Sequence, residues 1–215
     1  MKTSVAILVV SLVSITPALV SGTPIAQWTF DGSTQAPASV VPDATGSNFT
    51  LNSGGVTFPQ GNPSTSQAIS GTGWNVSDGV KWWDFTVTAN AGYLLDLTSL
   101  TFDDQRSSSG PVNWSVTING VAAASGQNTH GVFSAYPMNT VDLTAFPDMT
   151  SVDVRIFGYG ASGSTGTWRL DNVTLNGTVP SVPDSLPLEF AAVTVLGMLF
   201  LSRRLAGCFP QTNSC

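Results

Sequence analysis

Between Thr23 and Pro180 no stretch sustains a helical period for three turns; apolar residues alternate in short runs instead, each closed by Gly, Pro, Asn or Asp. Alternation puts successive side chains on opposite faces of a strand, so such a chain is confined to half-buried antiparallel sheets. Residues 25–30 open the series. Trp83, Phe85 and Val87 share one face of a strand within 80–89, and Val112, Trp114, Val116 and Ile118 share one face of another; Val152, Val154 and Ile156 repeat the pattern. Asn119-Gly120 supplies the left-handed pair that a tight hairpin needs. From Trp168 to Leu175 the phase slips, with Trp168 and Leu170 on one parity and Val173 and Leu175 on the other. Either a bulge lies near Asp171-Asn172 or this is a central strand buried on both faces.

Composition agrees with strands. Of 13 acidic residues only Glu189 is a glutamate, whereas serine and threonine together number 51 and glycine 21. Helical surfaces lean on Glu, Lys, Arg and Ala; strands use Thr, Val and aromatics, and turns use Gly, Asn, Asp and Pro. The expected fold is an all-β antiparallel sandwich of jelly-roll type over residues 23–176, a length that encloses one sizeable core. A net charge of −6, with only Lys81, Arg106, Arg155 and Arg169 basic between Thr23 and Pro180, leaves no electrostatic footprint for nucleic acid. The lone histidine, His130, excludes multi-histidine zinc sites, and Cys208 and Cys215 lie too near the C-terminus to staple the core.

The two ends read as export signals. Lys2, the apolar run 5–15 and the small residues before Thr23 form a signal peptide over residues 1–22, cut by signal peptidase. Residues 177–185 form a linker containing Pro180 and Pro183, 186–201 a membrane helix of about 24 Å, and 202–215 a basic stop and cytoplasmic tail. Arg203 and Arg204 place that tail inside and the domain outside. The order Val182-Pro183-Asp184-Ser185, apolar helix, Arg203-Arg204 resembles the PEP-CTERM family of bacterial sorting signals, in a variant with Asp184 where glutamate is usual. Segments such as Leu97-Thr98-Ser99-Leu100-Thr101-Phe102-Asp103 and Gly166-Thr167-Trp168-Arg169-Leu170-Asp171-Asn172 look like the sandwich domain that many such proteins carry. The resemblance implies recognition by an exosortase-like membrane transpeptidase and delivery to the cell surface or extracellular matrix, where exopolysaccharide is an expected partner. A glycolipid-anchor signal is the alternative for the tail.

Few residues point to catalysis, and the expected role is non-enzymatic. Gly158-Tyr159-Gly160-Ala161-Ser162-Gly163 matches the dinucleotide fingerprint by letter, but a strand follows where a helix is required, so it reads as a hairpin loop. Asp103 and Asp104 point to opposite faces if the strand continues through them, so they would not converge on one glycosidic bond, and a secreted hydrolase is the lesser alternative. Carbohydrate-binding jelly rolls are similar in pairing their first and last strands beside a structural calcium. By that resemblance Asp31 and Asp171, with Asp103 third, are the candidate ligands. Trp28, Trp83, Trp114 and Trp168 read as core. Trp74, in a glycine-rich loop, and Trp82, on the opposite parity from Trp83, become candidate glycan contacts if either is exposed beside an open groove.

Overall fold

The computed structural model describes residues 22–128 and 136–182. The signal run 5–15, His130, the motif residues Pro183, Asp184 and Ser185, the membrane segment 186–201 and Arg203, Arg204, Cys208 and Cys215 lie outside the described residues. Every strand has its partners in one of two antiparallel sheets. The first contains β1 (Thr23–Trp28), β2 (Ser39–Val40), β5 (Ile69–Gly71), β7 (Asp96–Arg106), β10 (Met138–Asp142) and β12 (Trp168–Thr178), in the order β10-β7-β12-β1-β2, with β5 also on β12. The second contains β3 (Ala44–Gly46), β4 (Thr50–Leu51), β6 (Trp82–Ala89), β8 (Asn113–Ile118), β9 (Val121–Gln127) and β11 (Ser151–Tyr159), in the order β3-β6-β11-β8-β9, with β4 also on β6.

The alternation explains which faces meet. Trp83, Phe85 and Val87 of β6 are buried, as are Trp114, Val116 and Ile118 of β8 and Val152, Val154 and Ile156 of β11. Their intervening neighbours face outward. Opposite them stand Trp28 of β1, Leu100 and Phe102 of β7, and Trp168, Leu170, Val173 and Leu175 of β12. Rings lock the two sheets together: Trp28 lies 4.2 Å from Phe85, and Phe102 meets Trp114 edge-on at 5.5 Å and 83°. Such contacts add about 0.5–1.5 kcal/mol each beyond the area they bury.

β12 is both of the things its phase slip allows. It runs centrally, with β7 along one side and, on the other, β5 against Trp168–Leu170 and β1 against Val173–Gly177. Its register with β7 shifts between Asp171 and Thr174, where Asn172 takes a φ of 48°. The expected hairpin joins β8 to β9, with Asn119 at φ 50° and Gly120 at φ 79°.

Three readings are corrected. Val112 precedes β8 and is 39% exposed, so it does not belong to the buried face of that strand. The segment 160–167 joins β11 in the second sheet to β12 in the first, so it is a crossover and not a hairpin loop; Gly158 itself lies within β11. β12 continues through Gly177 and Thr178, and the Leu94 N–H donates to the Pro180 carbonyl, which moves the end of the domain past 176.

Candidate functional site

Two regions gather polar side chains over the sheets. On the outer face of the second sheet, strand register sets out rows of side chains. Trp82 of β6 stands opposite Phe157 of β11, which stands opposite Ser115 of β8; in the next row Asp84, Arg155 and Thr117 follow in the same order. The Trp82 and Phe157 rings lie 5.5 Å apart, and the Arg155 guanidinium sits 5.1 Å over the Trp82 ring while pairing with Asp153 at 3.0 Å. Trp82 stays half-buried, because its own strand supplies Trp83 to the core and turns Trp82 outward. Beside this ledge opens a groove of about 540 Å³, lined by Phe157, Asp78, Ser115 and Thr117 and floored by the small side chains of β9. Ser115 Oγ donates to Asp78 Oδ1 at 2.7 Å. Thr117 Oγ1 and Arg155 Nε, opposite one another in register, are buried without a hydrogen-bond partner among the described residues. An aromatic ledge and an oriented carboxylate and hydroxyl beside a groove are suited to a polyhydroxylated ligand: the ring faces take its C–H surface, and Asp78 and Ser115 its hydroxyls.

Trp74 is not part of this face. It is fully buried, its indole N–H donates to the Gly71 carbonyl at 2.8 Å, and its ring meets Trp168 edge-on at 5.1 Å and Trp83 at 5.7 Å. The condition of exposure therefore fails for Trp74 and leaves Trp82. Lys81 covers the Trp74 ring at 5.3 Å with its Nζ on the Ser53 carbonyl, and burial pushes that amine below the usual lysine range. Glycine residues around Trp74 mislead a reader of sequence. Gly71 leaves room for Leu51 and the Trp83 ring to close on it, whereas Gly73 takes a φ of 82° that turns the chain.

The second region lies over the first sheet, where β5 gives way to β1 along β12. Asp171 and Asp103 face each other in register across β12 and β7. Asp171 is fully buried; its Oδ2 accepts from the Asn62 N–H at 2.6 Å and Ser66 Oγ at 3.3 Å, and its Oδ1 from the Asn172 N–H at 2.7 Å. Asp103 Oδ2 accepts from Asn62 Nδ2 and Asn172 Nδ2, each at 2.9 Å. Burial pushes the Asp171 carboxyl up to about 6, against the opposing effect of its hydrogen bonds, and the Asp103 charge adds to the rise. Asp31 stands apart, accepting from the Gln67 N–H at 3.1 Å in a hollow that it shares with Ser66.

This arrangement does not fit a calcium ion. Both Asp171 oxygens and Oδ2 of Asp103 face amide and hydroxyl hydrogens, whereas calcium takes six to eight oxygen lone pairs. Among the described residues no three His, Cys, Asp or Glu side chains are grouped to hold a metal. The structure thus joins two of the three candidate aspartates and makes of them a clamp for the 60–67 loop. Asp104, on the inner face, accepts from Trp168 Nε1 at 3.0 Å and Asn139 Nδ2 at 2.8 Å, so β7 does carry the two adjacent aspartates to opposite sides. Sequence reasoning missed Phe157 and Arg155; both sit on the strand of Val154 and Ile156, and only the register with β6 reveals that they meet Trp82.

No family model matches the chain, and no curated protein does. Among solved structures, the K2 cleaved adhesin domain of Lys-gingipain is similar at 14% identity and a TM-score of 0.40, over 70% of this chain and 98% of that one. The CBM22-1 xylan-binding domain of Paenibacillus barcinonensis Xyn10C is similar at 12% identity and a TM-score of 0.38, over 73% and 96%. The family 11 carbohydrate-binding module of Clostridium thermocellum, in complex with a β-1,3-1,4-mixed-linked tetrasaccharide, is similar at 12% identity and a TM-score of 0.37, over 73% and 98%.

Proposed function

We propose that this is an exported, non-catalytic surface protein whose sandwich, wound as a jelly roll, holds an extracellular polysaccharide on the outer face of its second sheet. The observation that carries the reading is the groove beside the Trp82–Phe157 ledge, with the hydrogen-bonded pair Asp78 and Ser115 at its rim. Export and anchoring rest on the sequence alone. Val182, Pro183, Asp184 and Ser185 form the motif read by an exosortase-like transpeptidase, with the apolar run to Leu201 and Arg203-Arg204 as its membrane stop.

Polysaccharide pull-down and a glycan array with the purified protein test the binding half. Trp82→Ala is expected to weaken binding by about tenfold or more, the loss of one stacked ring. Binding that is absent, or unchanged in this variant, would sink the reading. The sorting half is tested by replacing Pro183-Asp184 with Ala-Ala and measuring intact mass in envelope and medium. The expected result is an unprocessed chain held in the membrane; unchanged processing and surface delivery would overturn it.

A further inference from the structure

We propose that the glycan held on this face carries no acidic groups, and that Asp78 is the residue that turns polyuronates and sulfated chains away. The inference rests on the groove beside Trp82 and Phe157 being the binding site, and it names the class of ligand that such a groove admits.

Hydrogen-bond direction gives the first reason. A serine hydroxyl has a single hydrogen to donate. Ser115 gives its own to Asp78 Oδ1 at 2.7 Å, and the Gly79 N–H donates to the same oxygen at 2.8 Å. What the pair offers outward is lone pairs, those of Ser115 Oγ and of Asp78 Oδ2. Sugar hydroxyls can donate to them. A carboxylate or a sulfate ester carries acceptors only, so at this rim it would set lone pairs against lone pairs. Along the rest of the groove the Thr117 hydroxyl is buried, and that of Ser125 is exposed and can rotate to either use.

Charge gives the second reason. The chain has seven lysines and arginines, of which Lys2, Arg203 and Arg204 lie outside the domain. Three of the other four are engaged away from the ledge. Lys81 is buried with Nζ on the Ser53 carbonyl, Arg106 bonds the carbonyls of Asn128, Ser107 and Ser108, and Arg169 bonds the Gln105 side chain. That leaves Arg155, paired with Asp153 at 3.0 Å and set in register beside Asp84. Around the ledge Asp78, Asp84 and Asp153 therefore stand against Arg155 alone, and Asp78 is the one charged side chain among the described residues that line the groove. A face of that sign repels a polyanion, most strongly at low ionic strength.

Affinity electrophoresis of the full chain in mild non-ionic detergent tests this with matched probes. Mixed-linked β-glucan, glucomannan and amylose are each compared with the same polymer oxidised at its primary hydroxyls to carboxylates, and with the uncharged methyl ester of that product. For each glycan that is retained, oxidation is expected to weaken wild-type binding by about tenfold or more at low salt. Raising salt to about 0.3 M should shrink the gap, and the ester should recover most of the loss. Asp78→Asn, whose amide oxygen still accepts from Ser115, should narrow the gap severalfold. An oxidised form bound as tightly as its parent, a loss that the ester does not recover, or a gap unchanged in Asp78→Asn would overturn the proposal. Failure of the underlying reading looks different: retention of no glycan in any form, or retention indifferent to Trp82→Ala, removes the site and this inference with it.

Discussion

Two tryptophans that stand eight positions apart in the chain occupy opposite environments, one in the core and one half-buried on the outer face. Trp74 fills the space between Trp83 and Trp168, and Trp82 lies over Phe157 on the far side of the same sheet. Trp74→Ala is therefore expected to lower unfolding free energy by about 3–5 kcal/mol, read from the midpoint of urea denaturation, whereas Trp82→Ala should move that midpoint far less and act on glycan binding. The same crowding makes Gly158 a packing residue, since a Cβ there would lie 2.7 Å from the Trp168 ring and 2.8 Å from that of Trp74. Gly158→Ala should cost about 1–3 kcal/mol by overpacking; a neutral result in the same titration would show that the rings can shift aside. Parity alone identified Trp82 as outward-facing. Nothing in Gly71-Thr72-Gly73-Trp74 reveals that Gly71 serves close contact while Gly73 serves a left-handed turn, because a glycine that admits a neighbouring ring and one that turns the chain are written with the same letter.

β12 gathers the most consequences of any single strand. Its bulge at Asp171-Asn172 falls where β5 leaves off and β1 begins, and Asn62 enters there to bond Asp171 and Asp103. Because the Asp171 carboxyl is raised from 3.8 to about 6, the folded chain keeps a proton that the unfolded chain has already lost between those values. The stabilisation is fully present below about pH 4 and is lost as pH rises through about 6, with a slope of at most about 1.4 kcal/mol per pH unit. Thermal midpoints measured from pH 5 to pH 7 should accordingly show a downward contribution from this group, and Asp171→Asn should flatten it; an identical slope in the variant would assign the pH dependence to other groups. With amide donors turned toward both carboxylates, millimolar calcium is expected to leave the midpoint unmoved, and a clear rise would mean that the loop rearranges into an oxygen cage. The slip of phase in Trp168 to Leu175 foretold the bulge, and the resemblance to jelly rolls brought Asp171 and Asp103 together. The loop partner was not legible: Asn62 and Ser66 are more than a hundred positions away and carry no pattern of their own.

Alternation settled the class of fold and the inward faces of β6, β8 and β11, yet it left open which strands are neighbours. The glycine-rich stretch after Tyr159 looks equally suited to a hairpin or to a passage between sheets, and only the demand that Leu170 and Val173 reach the common core decides for the passage. β7 escaped a reading by alternation because the polar Asp104 follows Leu100 and Phe102 on its inner face and the buried Leu97 lies on the other parity, beside a register shift with β12. The sheet closes late in the chain. β1 has β12 as its long partner, so a chain ended before Trp168 should lack the middle of the first sheet and fail to fold, with no dispersed amide spectrum; a cooperative unfolding transition in that fragment would contradict the assignment of β12 as the centre. The position of β12 also governs how the molecule answers to tension. A pull entering at Thr178 runs along the strand and meets the ladders to β7, β1 and β5 side by side, so they must slide together and cannot be peeled one at a time. Under the C-terminal anchoring proposed above, the load would enter through this seam, and drag from flowing water would be spread across the whole of it.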